Sequence, residues 1–295
     1  MEWKYYIVGL VDIMGQRSKL NELGSLWWKL QDSGGLLDDE SKKMTELTKG
    51  TYEEVEHFRE LFTYTFDSMK KSISNHQSMG TRSPIEREEI TKIATGMCKL
   101  RSFSDSIVFY VPFDVKDELL TLAWISSMLA ASCLSILEFS NGTFFRGGIE
   151  IEAGTELGNG DIYGPVLNEV HRLEKDVANY PRIVIGKRLS DFIQSEGQTS
   201  YAGSFLNSVL ANAKDLCNGL VCKDNDGQII VDYLGEKAVE LNQSQYSMAC
   251  RFAKEGMARV EGELNEHKKK GDPKLIKYHE RLLAYYQSRI KYWDN

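Results

Sequence analysis

The sequence predicts an α+β fold, a sheet of short strands with helices packed against it. Three observations carry this expectation. Short apolar runs rich in β-formers, at residues 5–11, 107–111, 143–152 and 182–185, alternate with helical patterns. A polar, charge-rich, helix-patterned stretch of about residues 19–95 separates the first run from the second. Past about residue 187 the pattern is helical again, interrupted by one hairpin-like segment at 223–234 with Asp226-Gly227 as its turn.

The elements follow in order. The run YYIVGLV reads as a buried strand ending at Asp12, and Gly15 breaks it. In the stretch after it, Val55, Phe58, Phe62, Phe66 and Met69 form one helical stripe. Loop tips are expected at 33–35 and 79–84, with Pro84 opening a helix, IEREEITKIATGMCK. A turn-like PheSerAspSer precedes the strand IVFYV. Leu119–Leu137 carries no charge, is rich in Ser and Thr and lacks a flanking Lys/Arg cluster, so it reads as a buried helix rather than a membrane span. Asn141-Gly142 is a turn signal before the strand TFFRGGIEIE. Gly164-Pro165 opens the helix PVLNEVHRLEKDVA, and RIVI follows as a strand. The tail, 236–295, reads as amphipathic helix with a break at HisLysLysLysGly. The most economical architecture for this order is a split βαβ, ferredoxin-like palm at 1–190, with a helical insertion at about 19–95 and a mostly helical C-terminal extension at 191–295.

Composition narrows the function classes. The 295 residues include 36 basic and 43 acidic ones, a net charge of −7, and only 5 prolines. The acidic balance argues against nucleic-acid binding by phosphate neutralisation. Five cysteines without a CxxC pair argue against a disulfide framework or a cysteine zinc site and for a reducing cytoplasm. The N-terminus lacks the pattern of a signal peptide. The histidines, His57, His76, His171, His267 and His279, all fall in polar helical contexts and read as solvated faces.

Two sets of residues suggest chemistry. Asp12 ends the first strand and Asp105 precedes the second, so neighbouring strands would bring both carboxylates to one point. Carboxylates there suit Mg²⁺ or Mn²⁺; a turn cap and an Asx-turn would use the same residues. Asn168 and Arg172 lie four apart on one helix and share a face, where an amide and a guanidinium suit a ribose oxygen and a phosphate. A solvent-exposed polar face reads the same way.

The order and spacing of these residues resemble class III nucleotide cyclases over roughly residues 5–19 and 95–190. The resemblance implies that Asp12, the Ile13 carbonyl and Asp105 hold two Mn²⁺ or Mg²⁺ ions per site. It implies that Asn168 and Arg172 contact the transition state, and that Asp161, with Arg101, reads the base. It further implies nucleotide contacts from Arg146 and from the turn at 14–17, including Gly15, Gln16 and Arg17. The partners implied are a nucleoside triphosphate and a second copy of the chain, in a head-to-tail homodimer with composite sites, without membrane or nucleic acid. The helical insertion and tail look like the Pycsar pyrimidine cyclases of anti-phage defence, which implies UTP or CTP as substrate and a cyclic nucleotide product sensed by a separate effector protein. Alternatives are an adenylate or guanylate cyclase, a palm-type oligonucleotide synthase, or a degenerate nucleotide-binding module. The synthase hairpin usually reads GGDEF or GGDD, whereas this chain has PheSerAspSer.

Overall fold

β1 (Lys4–Ile13) is the spine of the sheet. Its side chains alternate, Tyr6, Val8 and Leu10 to one face and Ile7, Val11 and Ile13 to the other, and both sets are buried. A strand covered on both faces needs an unbroken apolar run, which is what residues 5–11 show. The structure is a computed structural model that describes all residues except 1, 34–36, 75–82, 95–97, 115–116, 141, 196–203 and 295. The expected loop tips at 33–35 and 79–84, and Asn141 of the expected turn, fall wholly or mostly outside the described residues.

After β1 come α1 (Gln16–Ser33), α2 (Asp38–Ser74) and α3 (Pro84–Ala94). Next are the hairpin β2 (Lys99–Phe103) and β3 (Ser106–Pro112), the helix α4 (Glu118–Phe139) and β4 (Phe145–Glu156). β5 (Ile162–Tyr163) and α5 (Pro165–Arg172) lead through a π turn at 173–177 to β6 (Ile183–Ile185). The rest is α6 (Lys187–Gln194), α7 (Ser204–Gly219), the hairpin β7 (Val221–Lys223) and β8 (Ile229–Val231), α8 (Glu236–Leu241), α9 (Tyr246–Lys270) and α10 (Pro273–Arg289).

The sheet has eight strands in the order β2-β3-β1-β4-β6-β8-β7, with β5 pairing β4 off this path. β1 is antiparallel to both β3 and β4, and β2 is antiparallel to β3. β4 and β6 are parallel, so the sheet is mixed. The helical reading of residues 84–99 runs too long: α3 ends at Ala94 and β2 begins at Lys99. β2 is an edge strand with half-exposed and exposed residues, so no apolar run marks it.

One face of the sheet carries α2, α4 and the tail helices. Phe58 and Phe62 of α2 are fully buried, and Phe58 stacks on Phe145 of β4 at 4.7 Å. α4 is buried almost all round and is capped by Asp117, whose carboxylate accepts from Leu120 N at 3.1 Å. Among the described residues it is the one helix long and apolar enough to cross a membrane, and most of it is buried inside the protein. The other face carries α5, whose Val166 and Val170 pack on Tyr6, Val8, Leu10 and Tyr110. A Cβ on Gly148 would lie 2.4 Å from Leu173 Cβ and 2.9 Å from the Val170 carbonyl, so glycine there lets α5 approach β4.

The chain beyond residue 190 adds β7 and β8 to the same sheet. α9 ends at Gly271, whose φ of 71° is left-handed, and Asp272 caps α10 by accepting from Lys274 N and Leu275 N. Tyr286 and Trp293 belong to the same core cluster as Ile7 and Phe109. Among the described residues, the five cysteines form no disulfide.

Candidate active site

The β1–β3 register sets Asp12 opposite Ser106, 94 positions away in sequence. Asp105 is therefore beside the end of β1, and Ile13 N donates to the Asp105 carbonyl at 3.1 Å. Ser104 and Asp105 form the two-residue turn between β2 and β3, with Ser104 at φ 54°. Arg59 of α2 donates to the Ser104 carbonyl at 3.2 Å and so ties the insertion to that turn.

Asp12 is also opposite Arg146 of β4. Ser106 Oγ donates to Asp12 Oδ1 at 2.6 Å, and Arg146 Nη2 lies 3.7 Å from Asp12 Oδ2. Arg146 forms its closer ion pair with Glu174, a buried residue of the π turn. Burial raises the Asp12 carboxyl above its ordinary pKa; nearby Asp105 adds to this, while the Ser106 hydrogen bond and the Arg146 and His171 charges oppose it. Glu174 is raised chiefly by burial too, against the pull of Arg146 and with a further push from Asp12. Asp12 and Glu174 thus share Arg146 at one half-buried site, with Asp105 close enough to raise Asp12.

Arg101 and Asp161 also meet. Arg101 Nε donates to Asp161 Oδ1 at 3.2 Å, and Asp161 Oδ2 accepts from Asn159 Nδ2 at 2.6 Å. The loop that presents Asp161 is held down by Tyr110, whose hydroxyl donates to the Gly160 carbonyl. Gly160 is left-handed at φ 82°, and a Cβ there would lie 2.3 Å from Arg101 Nη2.

Asn168 and Arg172 are on the outer face of α5, both exposed. Glu169 holds Arg172 in a two-pronged pair at 3.0 and 2.7 Å, and that hydrogen bonding raises the guanidinium pKa further. Among the described residues, no hydrogen bond or ion pair joins Asn168 or Arg172 to Asp12, Asp105, Arg101 or Asp161. Within one chain the expected residues therefore form separate groups.

The turn after β1 runs directly into α1. Gly15 has φ 90° and is exposed, and the first-turn N–H groups of α1 follow it. The Gln16 side chain turns inward instead. It is buried and donates to Glu54 Oε2 of α2 at 2.6 Å, and Lys19 and Thr143 donate to the same carboxylate. Arg17 is in the first turn of α1, with its side chain outside the described residues.

Ser106, Glu174 and Glu54 were not anticipated. Ser106 was within reach of the sequence, because it follows Asp105 directly and an antiparallel neighbour of Asp12 must be close to it. Glu174 and Glu54 sit on helices with no spacing that signals a site, and only packing delivers them. Comparison with protein-family models, curated proteins and solved structures finds no match to the chain.

Proposed function

We propose that the chain is a nucleotide cyclase, converting a nucleoside triphosphate, UTP or CTP ahead of ATP or GTP, into its 3′,5′-cyclic monophosphate and pyrophosphate. The observation that carries the reading is the convergence of Asp12 and Asp105 at the joined ends of β1 and the β2–β3 hairpin. The Arg101–Asp161 pair supports it independently. The strand order β2-β3-β1-β4, antiparallel throughout and crossed over by α1–α3 and by α4, is what a ferredoxin-like palm would have, and it favours that fold.

The donor set suits a hard divalent cation. Asp12 and Asp105 are neighbours, the Ser106 hydroxyl sits on Asp12, and burial keeps the Asp12 carboxyl raised with Asp105 adding to it. Asp12, Asp105 and the Ile13 carbonyl would hold Mn²⁺ or Mg²⁺, two ions per site. Such ions, when bound, lower the pKa of the ribose 3′-hydroxyl and neutralise the triphosphate. The N–H groups at the start of α1 would cradle phosphate oxygens. Arg146, beside Asp12, would add a guanidinium to the phosphates. Arg172 would stabilise charge developing at the α-phosphate and Asn168 would orient the ribose. Arg101 and Asp161 offer one donor and one acceptor to the edge of the base.

The outward placement of Asn168 and Arg172 favours sites shared between two copies. In a head-to-tail homodimer, α5 of one subunit would meet Asp12 and Asp105 of the other. Cytoplasmic residence and a separate effector for the product belong to the same reading.

The test is incubation of the pure protein with each of the four triphosphates and Mn²⁺, with products read by mass spectrometry. One 3′,5′-cyclic mononucleotide is expected, absent from Asp105→Ala. A linked dinucleotide or no product would overturn the reading. Mixing inactive Asp12→Ala and Arg172→Ala chains should restore part of the activity through heterodimers with one intact site. No recovery in a folded mixture would place the site within one chain.

A further inference from the structure

The α9–α10 hairpin brings Glu263, His267 and His279 together, their ligand atoms all within 4.8 Å of one another. Glu263 and His267 are one helical turn apart on α9, so they share a face. His279 reaches them from α10 and is buried, 6% exposed. Its ring lies 4.8 Å from that of His267 and edge-on to Phe144 at 5.5 Å.

The hydrogen bonds around this group have a gap in them. His279 Nδ1 is 2.9 Å from the Leu275 carbonyl. A carbonyl only accepts, so Nδ1 carries the hydrogen. That leaves Nε2 as the lone-pair nitrogen of a neutral ring. It faces Glu263 Oε2 at 3.1 Å, and a carboxylate also only accepts. Two acceptors at that distance need a positive charge between them, a proton or a metal ion. The surroundings are those of a metal ligand set. Arg259 Nε holds the other carboxylate oxygen, Glu263 Oε1, at 2.8 Å, and the backbone holds the far nitrogen of His279. Outer contacts of this kind orient ligating carboxylates and imidazoles.

We propose that Glu263, His267 and His279 form a zinc site that clamps α9 to α10, with a fourth position open to solvent. Two imidazoles and a carboxylate are a tetrahedral zinc set with one vacant position. Ligands of one zinc ion at roughly 2.0–2.2 Å from it stand about 3.3–3.6 Å apart, so the Glu263–His279 separation of 3.1 Å needs to open by only a few tenths of an ångström. His267, half-exposed in the last turn of α9, brings the third ligand atom to within 4.8 Å of the other two. The site does not depend on the nucleotide reading.

The experiment uses the full chain, stripped with a chelator and dialysed, then titrated with Zn²⁺ against a fluorescent zinc indicator. One tight equivalent is expected in the wild type. His267→Gln and His279→Gln should each weaken it on the order of 100-fold. Zinc at a hundredfold excess over its wild-type dissociation constant should raise the wild-type Tm by roughly 5 °C and that of His267→Gln by less than about 1 °C. His267 is on the surface, so its variant stays interpretable even if His279→Gln does not fold. Absence of a tight equivalent would leave a proton between His279 and Glu263 and overturn the proposal. Wild-type affinity retained in His267→Gln would overturn the ligand set.

Discussion

Arg182 enters the interior as a charge and is matched there. Its guanidinium is almost fully buried, yet it bonds Asp226 twice at 2.9 and 2.7 Å, the Val177 carbonyl at 2.8 Å, and Asp224. The pairing joins β6 to the β7–β8 turn. The Arg182 hydrogen bonds hold the Asp226 carboxyl below its ordinary 3.8, with burial opposing them. A carboxyl with a lowered folded-state pKa contributes stability above its unfolded value and loses it as pH falls through the folded one. Asp226→Asn should therefore cost about 1–2 kcal/mol at pH 7, with the gap to wild type closing below about pH 3.8 in urea melts. A gap that stays constant with pH would show that the carboxylate charge is not what matters. In the sequence Arg182 reads only as the polar start of RIVI, and nothing there identifies its acidic partners.

At the scale of elements, α5 is placed by what β4 lacks. Gly148 leaves no Cβ between the strand and Leu173, so the helix sits directly on the sheet. Gly148→Ala should push α5 outward at a cost of about 1–3 kcal/mol, seen as a lower Tm. Under the cyclase activity proposed above, turnover should fall with it, because Asn168 and Arg172 ride on α5, while binding of Mn²⁺ stays unchanged. An unaltered Tm would mean that Leu173 relaxes freely. The amphipathic stripe of α5 and its Pro165 start were legible in the sequence. The π turn at 173–177, which buries Glu174 beside Arg146, was not, because the residues there suit a plain helix equally well. β2 was missed for a related reason: an edge strand owes its shape to its neighbour's hydrogen bonds rather than to its own apolar residues.

The whole molecule has its tail built into its core. Trp293 Nε1 donates to the Leu234 carbonyl at 3.0 Å, Tyr285 donates to Asp232 at 2.9 Å, and Gly256 of α9 lets Tyr286 and Ser140 come close. Deleting residues 246–295 should expose that surface and abolish cooperative unfolding, monitored by circular dichroism. A truncated chain that still melts in one sharp transition would show that the sheet stands without α9 and α10. The sequence by itself determined which segments are strand and which are helix wherever burial is two-sided or periodic, as in β1, α4 and the Phe58–Phe62 stripe. It also determined which acids stand at strand ends, because chain position alone sets that. Only the tertiary structure decided that Arg146 flanks Asp12 while pairing with Glu174, that Glu54 takes the Gln16 side chain, and that His279 faces Glu263. Those neighbours come from distant elements, and their meeting depends on register and packing, which no local pattern of residues encodes.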